Sequence, residues 1–590
     1  MTADGIQNDP RRWWALGAIS FGLFMALLDI TVVNVALPAI QRGVHASFNS
    51  LEWVVNAYAL PVAVLLITSS RLGDLMGRKR VFLGGMAVFT LGSLSCAVSA
   101  HLHIDSLSRA TVLNLSRALQ GVGGSAMLPL SLSLITATFH GRERGTAFGI
   151  WGGVSGLALA VGPLVGGLLV AKVGWPSIFY LNVPTGILGI ILGTWAIHDS
   201  RDQRAGRHID VYGLVTLTVS LFCLVLALMK GNDKGWHSAY ILTLFIVGGV
   251  ALAAFIIGEL LIKSPMLNPR LFASPTFTGA AVAVFMLSAG LYALFFYLSL
   301  YMQNYLGYDA LQTGLRFLPL SALVLVTAPV AGRMSDRISP KWILSAGLAF
   351  ILAGLLLLTR LGHAVVAADW TMLLPGLILA GLGNGMVNPP ISTLAMGSVD
   401  PRYIGMASGT NNVARQTGVA FGIAAEGAFL ANRYRYLVRR QIMHLAAPLS
   451  HGARLAIVRA IRQAGPIAGS EGLRGASRAY RANPLFPTLV TVARHAFLLG
   501  TRDTVWLAAL LIAVGLAATL TLVRSRDAVH HQHAPSVNTA DPSRTALILA
   551  LAAAWEARDG ARPGASLEQQ RYLRDALNLL ALILNQKRRG

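Results

Sequence analysis

Long apolar segments separated by short polar stretches run along most of this chain. A run of about 18 or more apolar residues is long enough to cross a bilayer as a helix, and about fourteen runs qualify. The predicted spans are 13–40, 52–70, 80–100, 108–135, 145–171, 177–198, 210–229, 239–262, 275–300, 312–334, 340–360, 370–396, 405–431 and 500–523. The pattern therefore predicts an all-α integral membrane protein.

Composition supports the same class of protein. Of 590 residues, 54% are hydrophobic and 12% are charged, and the mean hydropathy is +0.60. Soluble domains usually contain about 25% charged residues. The two cysteines, Cys96 and Cys223, lie in apolar runs, so we interpret them as buried hydrophobic side chains and not as a disulfide or metal pair.

Basic residues are unevenly divided between the two sides of the predicted membrane. A cytoplasmic amino terminus places most short loops rich in Lys and Arg inside, as the positive-inside rule requires. This rule and anionic lipids explain much of the net charge of +23, so no nucleic-acid partner is expected. Both termini are predicted inside the cell, with an Arg-rich loop over 432–499 outside and a cytoplasmic tail over 524–590.

Asp29 is a carboxylate within the first predicted span. A charge at the centre of a bilayer costs about 2.5–3.5 kcal/mol on insertion scales, so such residues usually line a cavity or carry a function. A protonatable acid there can change between charged and neutral forms as its surroundings change, which a proton-coupled carrier requires.

Two cytoplasmic turns repeat a pattern of Gly or Ser, then Asp, then basic residues. Residues 70–79 read Ser-Arg-Leu-Gly-Asp-Leu-Met-Gly-Arg-Lys, and residues 332–341 read Gly-Arg-Met-Ser-Asp-Arg-Ile-Ser-Pro-Lys. The turns occupy equivalent places if spans seven and eight are an insertion. The predicted domains are then six-helix halves over 13–198 and 275–523, with two inserted helices over 210–262.

Both turns resemble the signature loop of the major facilitator superfamily. The matching residues are Asp74, Gly77, Arg78 and Lys79 in the first turn, and Gly332, Asp336 and Arg337 in the second. The sequence departs from the signature at Ser70 and Leu75, and at Ser339 in the second turn. The resemblance implies two six-helix halves and a loop that latches one conformation of the carrier.

Three further stretches resemble the branch of drug:proton antiporters with fourteen helices, the EmrB/QacA type. They are the first-helix run 28–38, the run Arg117-Ala-Leu-Gln-Gly in span four, and the antiporter motif that contains Gly162, Pro163, Gly166 and Gly167. This resemblance implies that Asp29 and Arg117 carry the proton coupling. The glycines could equally serve only close helix packing.

Several other residues are candidates for binding or coupling. Arg415 and Glu426 in span thirteen are candidates for coupling or for contact with a charged substrate, although Glu426 could also lie in the headgroup zone. Glu52 and Glu259 lie at helix ends and are expected at the membrane interface. The candidate residues of an apolar, aromatic substrate cavity are Asn34, Trp53, Tyr58, Tyr297, Tyr301 and Asn304.

The leading interpretation is a proton-coupled antiporter that exports amphipathic drugs or antibiotics across the bacterial cytoplasmic membrane. The expected partners are a small amphipathic or hydrophobic substrate, protons and the bilayer, and the chain is expected to act as a monomer. No cofactor, metal or enzymatic activity is expected, because the proton gradient supplies the energy. The alternatives are an exporter of one metabolite, lipid or siderophore, an uptake symporter, and a polytopic enzyme or sensor.

The predicted topology can be tested at Ser477, within the basic loop. A cysteine introduced there should react with a membrane-impermeant reagent in intact cells, because fourteen spans from an inward amino terminus place the loop outside. Labelling only after the cells are opened would show that the last apolar segments are misassigned.

Overall fold

The computed structural model describes most of the chain before the predicted tail. The described residues are 11–44, 48–101, 108–139, 141–200, 210–262, 265, 267–335, 338–360, 370–399, 404–444, 458 and 486–525. Within these ranges the secondary structure is helical and contains no strand. The latch residues Asp336 and Arg337, Ser477, and residues 526–590 of the predicted tail lie outside them.

The first half of the chain forms helices that cover its six predicted spans. Their bounds are α1 Arg12–Val44, α2 Phe48–Met76, α3 Arg78–Val98, α4 Arg109–Thr138, α5 Gly141–Lys172, α6 Ser177–Tyr180 and α7 Asn182–Ala196. The short α6 and α7 follow one another and together form the sixth span, Ser177–Ala196.

Two helices separate this half from the second one. They are α8 Val211–Lys234 and α9 Ala239–Leu261. The second half contains α10 Pro275–Leu287, α11 Ala293–Leu300, α12 Ala310–Ser335, α13 Pro340–Leu358, α14 Leu374–Gly397, α15 Ile404–Met443 and α16 Phe486–Leu522. A π-helical turn at Ser288–Tyr292 joins α10 to α11, and a second one at Tyr301–Tyr305 follows α11, so that the whole forms one continuous span, Pro275–Tyr305.

The helix bounds confirm an all-α membrane protein and extend two of the predicted spans. Among the described helices, eleven are long and apolar enough to cross a membrane by length and composition. The remaining predicted spans coincide with α5, α14 and α15. Residues 432–443 and 486–499, expected to belong to the long loop, are helical instead. Hydropathy detects only the apolar part of a helix, whereas residues such as Ala, Leu and Arg continue the helix beyond it.

Polar caps fix where several helices begin. The Ser108 hydroxyl accepts a hydrogen bond from Thr111 N at the start of α4, and Asp210 accepts one from Gly213 N at the start of α8. Each cap satisfies a backbone N–H that has no partner within its helix. Between α2 and α3, Gly77 adopts a φ of 111°, a left-handed conformation that permits the sharp turn there.

Glycines repeat between the two halves and set their tightest helix contacts. Gly85 of α3 faces the carbonyl oxygen of Gly123 in α4, and Gly347 of α13 faces that of Gly383 in α14. A side chain at any of these positions would meet backbone atoms of the neighbouring helix. The same packing device therefore serves equivalent helix pairs in both halves.

The start of the third helix is also fixed in the same way in both halves. Lys79 Nζ donates to the Thr194 carbonyl oxygen over 2.7 Å, and so joins α3 to the end of α7. Lys341 Nζ donates to the Leu520 carbonyl oxygen over 2.8 Å, and so joins α13 to the end of α16. Lys79 and Lys341, the last residues of the two repeated turns, thus make equivalent contacts.

The two halves meet along two helix pairs, α5 with α12 and α2 with α15. The inserted α8 packs against both α2 and α15. The second inserted helix, α9, is less covered: 28% of its most apolar part is buried, compared with 72% for α2. Large apolar side chains such as Leu261 (78% exposed) lie on the outer surface of α9. Most of α9 is therefore available to contact lipid.

A glycine pair tests the packing of α13 against α14. Gly383→Ala should lower the free energy of unfolding by about 1–3 kcal/mol, and with it the melting temperature, because the added methyl group would overlap the backbone of Gly347. The matched control is Gly249→Ala in α9, where a methyl group meets no atom within 4 Å and should be neutral or stabilising. Melting of the detergent-solubilised variants measures both effects, and equal melting temperatures would contradict the assigned packing.

Candidate functional site

A buried ion pair lies between α1 and α4. Arg117 Nη1 donates to Asp29 Oδ2 over 2.5 Å, and both side chains are 1% exposed. Both residues lie well inside their helices, away from the membrane surface. An unpaired charge in this position would be costly, so each side chain stabilises the buried position of the other.

Two amides complete the surroundings of Asp29. Gln120 Nε2 and Asn182 Nδ2 both donate to Asp29 Oδ1, over 2.8 Å and 3.3 Å. Arg117 Nη1 also donates to Gln120 Oε1 over 2.7 Å. Arg117 and the two amides are all donors, so each of these hydrogen bonds is one that the Asp29 carboxylate oxygens accept.

Arg117 has additional contacts that hold it across several helices. Its Nε donates to the Val54 carbonyl oxygen of α2 over 3.0 Å. The guanidinium carbon lies 4.6 Å from the ring centroid of Tyr58 and 5.7 Å from that of Phe179. Cation–π contacts of this kind stabilise a cation removed from water. The pair consequently joins α1, α2, α4 and the sixth span.

Asp29 and Arg117 are site residues that the sequence predicts, whereas Gln120 and Asn182 are not among the predicted ones. Gln120 lies three residues after Arg117, on the same face of α4. Asn182 is held in place by donating to Ser93 Oγ over 3.0 Å. In both cases the sequence feature that could have identified the residue is an amide side chain within an apolar segment, because a buried amide requires a polar partner.

The glycine-rich motif of α5 lies against α1 and α12. Side chains at Gly162 and Gly166 would overlap Thr31 and Val32 of α1, and one at Gly167 would overlap the start of α12. The Pro163 carbonyl oxygen in turn faces Gly314 of α12. The motif therefore permits α5 to approach α1 of its own half and α12 of the other half closely.

The first of the two repeated turns, residues 70–79, is held in place by contacts within its own half. Arg78 donates to Asp74 Oδ1 from both Nε and Nη2, over 3.0 and 2.9 Å. The Arg78 backbone N–H donates to the Ser200 carbonyl oxygen, and a side chain at Gly77 would overlap the Asp199 carboxylate. In the second turn Gly332 lies in the last part of α12, and Asp336 and Arg337 fall outside the described residues.

The second half contains a polar cluster around Arg415. Arg415 Nη1 donates to Asn388 Oδ1 over 2.7 Å, and Asn388 Nδ2 donates to Tyr292 Oη over 3.2 Å. Tyr292 Oη donates to Asn384 Oδ1 over 3.0 Å. Tyr292 belongs to a π-helical turn, a feature frequent at functional sites. The role of Arg415 in coupling or substrate binding stays a prediction.

Three acids are buried within the protein: Glu52 and Glu259, which were expected at the membrane interface, and Glu426, for which the headgroup zone was one alternative. Glu52 is 1% exposed, and Tyr297 Oη lies 3.1 Å from its Oε1 atom. Glu426 is 0% exposed. Glu259 is 2% exposed, and its Oε2 accepts a hydrogen bond from Leu267 N. Position in the sequence suggested helix ends, but neighbouring helices cover these side chains.

The six residues suggested for a substrate cavity are spread through the structure. Tyr58 stacks on Arg117, Tyr297 contacts Glu52, and Tyr301 stacks on Tyr305 with ring centroids 5.1 Å apart. Trp53 packs against Phe222. Asn34 is half-buried in α1.

Asn304 lines a cleft of about 340 Å³ at the ends of α1 and α5 and the start of α12. Polar and charged residues around it include Arg42, Gln303, Asp309 and Arg494. Among the described residues, no group of three or more His, Cys, Asp or Glu is arranged to hold a metal ion. The cleft is therefore a polar opening between the two halves.

Comparison with known proteins places this geometry among membrane transporters. The sequence model of the Major Facilitator Superfamily matches residues 19–423. The chain is 35% identical over 415 residues to the multidrug resistance protein Stp of Mycobacterium tuberculosis, covering 70% of this chain and 75% of that protein. The tetracenomycin C resistance and export protein of Streptomyces glaucescens is 33% identical over 433 residues, covering 73% and 78%. The puromycin resistance protein pur8 of Streptomyces alboniger is 36% identical over 420 residues, covering 70% and 81%.

Solved structures share the fold at much lower sequence identity. A bacterial homologue of the human lysosomal transporter Spinster, inward-facing and unoccupied, superposes with a TM-score of 0.57 and 15% identity, covering 90% of this chain and 100% of that one. The peptide transporter POT in complex with sulfate superposes with a TM-score of 0.55 and 14% identity, covering 87% of this chain and 95% of that one. These similarities confirm the arrangement of helices.

Gln120→Leu tests whether the amide stabilises Asp29. The variant should lose about 1–3 kcal/mol of stability, because a charged buried carboxylate loses one donor. The loss should be smaller in an Asp29→Asn background, where the acceptor is neutral, so a double-mutant cycle of thermal melting measures the coupling.

Gln312→Leu is the matched control for this cycle, since it makes the same change at an exposed position of α12. Its effect on melting should be small and independent of Asp29→Asn. Additive effects of Gln120→Leu and Asp29→Asn would contradict the assigned contact.

Proposed function

This chain belongs to the major facilitator superfamily, and from that premise we propose that it exports amphipathic drugs or antibiotics in exchange for protons. The proposed substrate class is supported by relatives at 33–36% identity whose names describe multidrug resistance, tetracenomycin C export and puromycin resistance. In this proposal the chain works as a monomer in the bacterial cytoplasmic membrane, with both termini in the cytoplasm.

The buried pair of Asp29 and Arg117 is the observation that carries the proposal. A carboxylate within a span must be paired, protonated or exposed to water, and a transport cycle can alternate between these states. The proton gradient then supplies the energy, and no cofactor or covalent chemistry is needed.

Protonation of Asp29 changes the forces within this site. The proton binds to a carboxylate oxygen and makes the acid neutral, so the attraction between Asp29 and Arg117 falls. Arg117 keeps its hydrogen bond to the Val54 carbonyl oxygen and its ring contacts, which hold it on α2 and the sixth span. We infer that α1 becomes free to shift against α2 and α4 when the proton is bound.

A shift of α1 would reach the other half through α5. Thr31, two residues after Asp29, packs on Gly162 of α5. Five residues along α5, Gly167 packs on the backbone of α12 at Ala310. Because these contacts involve backbone atoms and leave little free space, movement of α1 is transmitted to the boundary between the halves.

The cytoplasmic turns would stabilise one conformation of the carrier. Asp74 holds Arg78, and the turn is bound to the residues that follow α7. This position suits a latch that forms and breaks as helices move. The second turn is proposed to act in the same way through Asp336 and Arg337.

Asp29→Asn should abolish proton-driven efflux while leaving the protein folded in the membrane. The amide resembles a permanently protonated acid, so it cannot alternate between forms. We expect uncoupler-sensitive ethidium efflux from a pump-deficient host to fall at least about tenfold, a change that corresponds to about 1.4 kcal/mol.

Asp309→Asn is the control for this substitution, because Asp309 is exposed and caps α12 in a way that Asn also can. It should leave ethidium efflux unchanged. Arg117→Lys should retain part of the activity if charge alone matters. Full uncoupler-sensitive efflux by Asp29→Asn would exclude Asp29 as the coupling residue.

A further inference from the structure

A second group of buried acids lies at the contact between the two halves. Glu52 of α2 belongs to the first half, whereas Tyr297 of α11 and Glu426 of α15 belong to the second. Their side chains are 1%, 0% and 0% exposed. The group is separate from Asp29, which has its own donors in Arg117 and two amides.

Tyr297 gives the Glu52 carboxyl group only weak hydrogen bonding. Tyr297 Oη donates to the Ile423 carbonyl oxygen over 2.5 Å and to Glu52 Oε1 over 3.1 Å. A phenol has one proton and a carbonyl oxygen can only accept, so the shorter contact with Ile423 takes most of that proton. An ionised Glu52 would therefore be a buried charge with little compensation, whereas a protonated Glu52 avoids that cost.

Glu426 requires a proton for a different reason. Neither of its carboxyl oxygens has a hydrogen-bond partner among the described residues, although the side chain is fully buried. An ionised carboxylate in that position would carry an uncompensated charge away from water, which costs far more than a neutral carboxyl group. The neutral form is therefore the one that this packing accommodates.

Charged groups near Glu52 do not replace the missing counter-ion. Lys230 and Asp233 at the end of α8 act on Glu52 through space with opposite signs. Asp233 is itself paired with Arg435 of α15 at 2.6 Å. Glu426 acts on Tyr297 through space, without a hydrogen bond to it.

Gly427 makes this close approach between the halves possible. A side chain at this position would overlap both the Glu52 carboxyl group and the Tyr297 hydroxyl group. The backbone of α15 therefore touches the acid of the opposite half directly. Separation of the halves here would expose Glu52, Tyr297 and Glu426 to water together.

We propose that Glu52 and Glu426 form a second proton-binding site, which takes up one proton on each carboxylate when the halves close at this contact. The protons leave when the halves separate and water reaches the acids. This inference rests on the proposed function in one respect, the alternation of the carrier between closed and open states. In the proposed topology the contact lies on the extracytoplasmic side, so external protons favour closure there.

Infrared difference spectroscopy of the full-length protein in liposomes tests the site directly. Between mildly alkaline and mildly acidic buffer, the wild-type protein should gain C=O stretching bands of un-ionised carboxyl groups. Glu52→Gln and Glu426→Gln should each lose one band, whereas Glu143→Gln, a half-exposed acid paired with Arg12, should retain both. Retention of both bands in Glu52→Gln or Glu426→Gln would overturn the proposal.

Hydrogen–deuterium exchange of the same samples gives a second readout that does not depend on band assignment. At the start of α2 and in the middle of α15, protection corrected for intrinsic exchange should fall several-fold in alkaline buffer. The double variant Glu52→Gln with Glu426→Gln should keep its protection in both buffers, because amides cannot ionise. An unchanged pH response in the double variant would contradict the proposal.

A third variant keeps the proposal testable if a Gln substitution disturbs folding. Tyr297→Phe removes the hydroxyl group that is hydrogen-bonded to Glu52, so the Glu52 band should shift in frequency while the Glu426 band remains. An unshifted Glu52 band would contradict the assigned hydrogen bond.

These outcomes are independent of the assignment of Asp29. The variant Asp29→Asn should lose ethidium transport but keep both carboxyl bands and the pH response. Normal proton-driven transport without the bands would overturn the second site alone. The bands without any proton-driven transport would overturn the proposed function instead.

Discussion

A membrane interior offers no water to solvate a charge, and this constraint explains how the ionisable side chains of this protein are arranged. Asp29 is paired with Arg117 and accepts hydrogen bonds from two amides, and all of these contacts are buried. Glu52 and Glu426 lack a cationic partner at contact distance in the described structure, and the proposed second site holds them in the neutral form. The same physical rule thus gives one buried acid with a cationic partner and two without one.

Glycine packing lets these sites influence the movement of helices. Gly162 and Gly166 bring α5 against α1 next to the Asp29 site, and Gly167 brings α5 against α12 of the other half. Gly427 does the same for α15 at Glu52. At Gly167 the two backbones touch, whereas the side chains of Thr31 and Glu52 fill the contacts at Gly162 and Gly427. In the proposed mechanism, a proton bound at either site would act on the boundary between the halves through these contacts.

The repeat in the chain has unequal consequences in the two halves. Glycine contacts between the third and fourth helices recur, and so does the lysine that binds the last helix of each half. The buried arginines differ: Arg117 faces a carboxylate, whereas Arg415 donates to the neutral amide of Asn388. The helix contacts are repeated in both halves, but the buried pair of an arginine and a carboxylate lies in the first half.

The sequence by itself determined the class of fold, the approximate spans and which charged residues lie within them. Apolar runs must be helical in a bilayer because every backbone group needs an internal partner, and charges such as Asp29 and Arg117 stand out against them. Hydropathy does not locate the ends of helices: the predicted span ends at residue 431 with the apolar residues, whereas α15 continues to Met443.

Only the tertiary structure decided which side chains meet. Asp29 and Arg117 are 88 positions apart, and Glu52 and Tyr297 are 245 apart. Such contacts depend on how each helix is rotated and which neighbour it packs against, and hydropathy along one segment does not contain that information. For this reason Gln120 and Asn182 were recognised as partners of Asp29 only in the folded chain. Glu52, which its position at a helix end assigned to the membrane surface, is buried because α15 covers it.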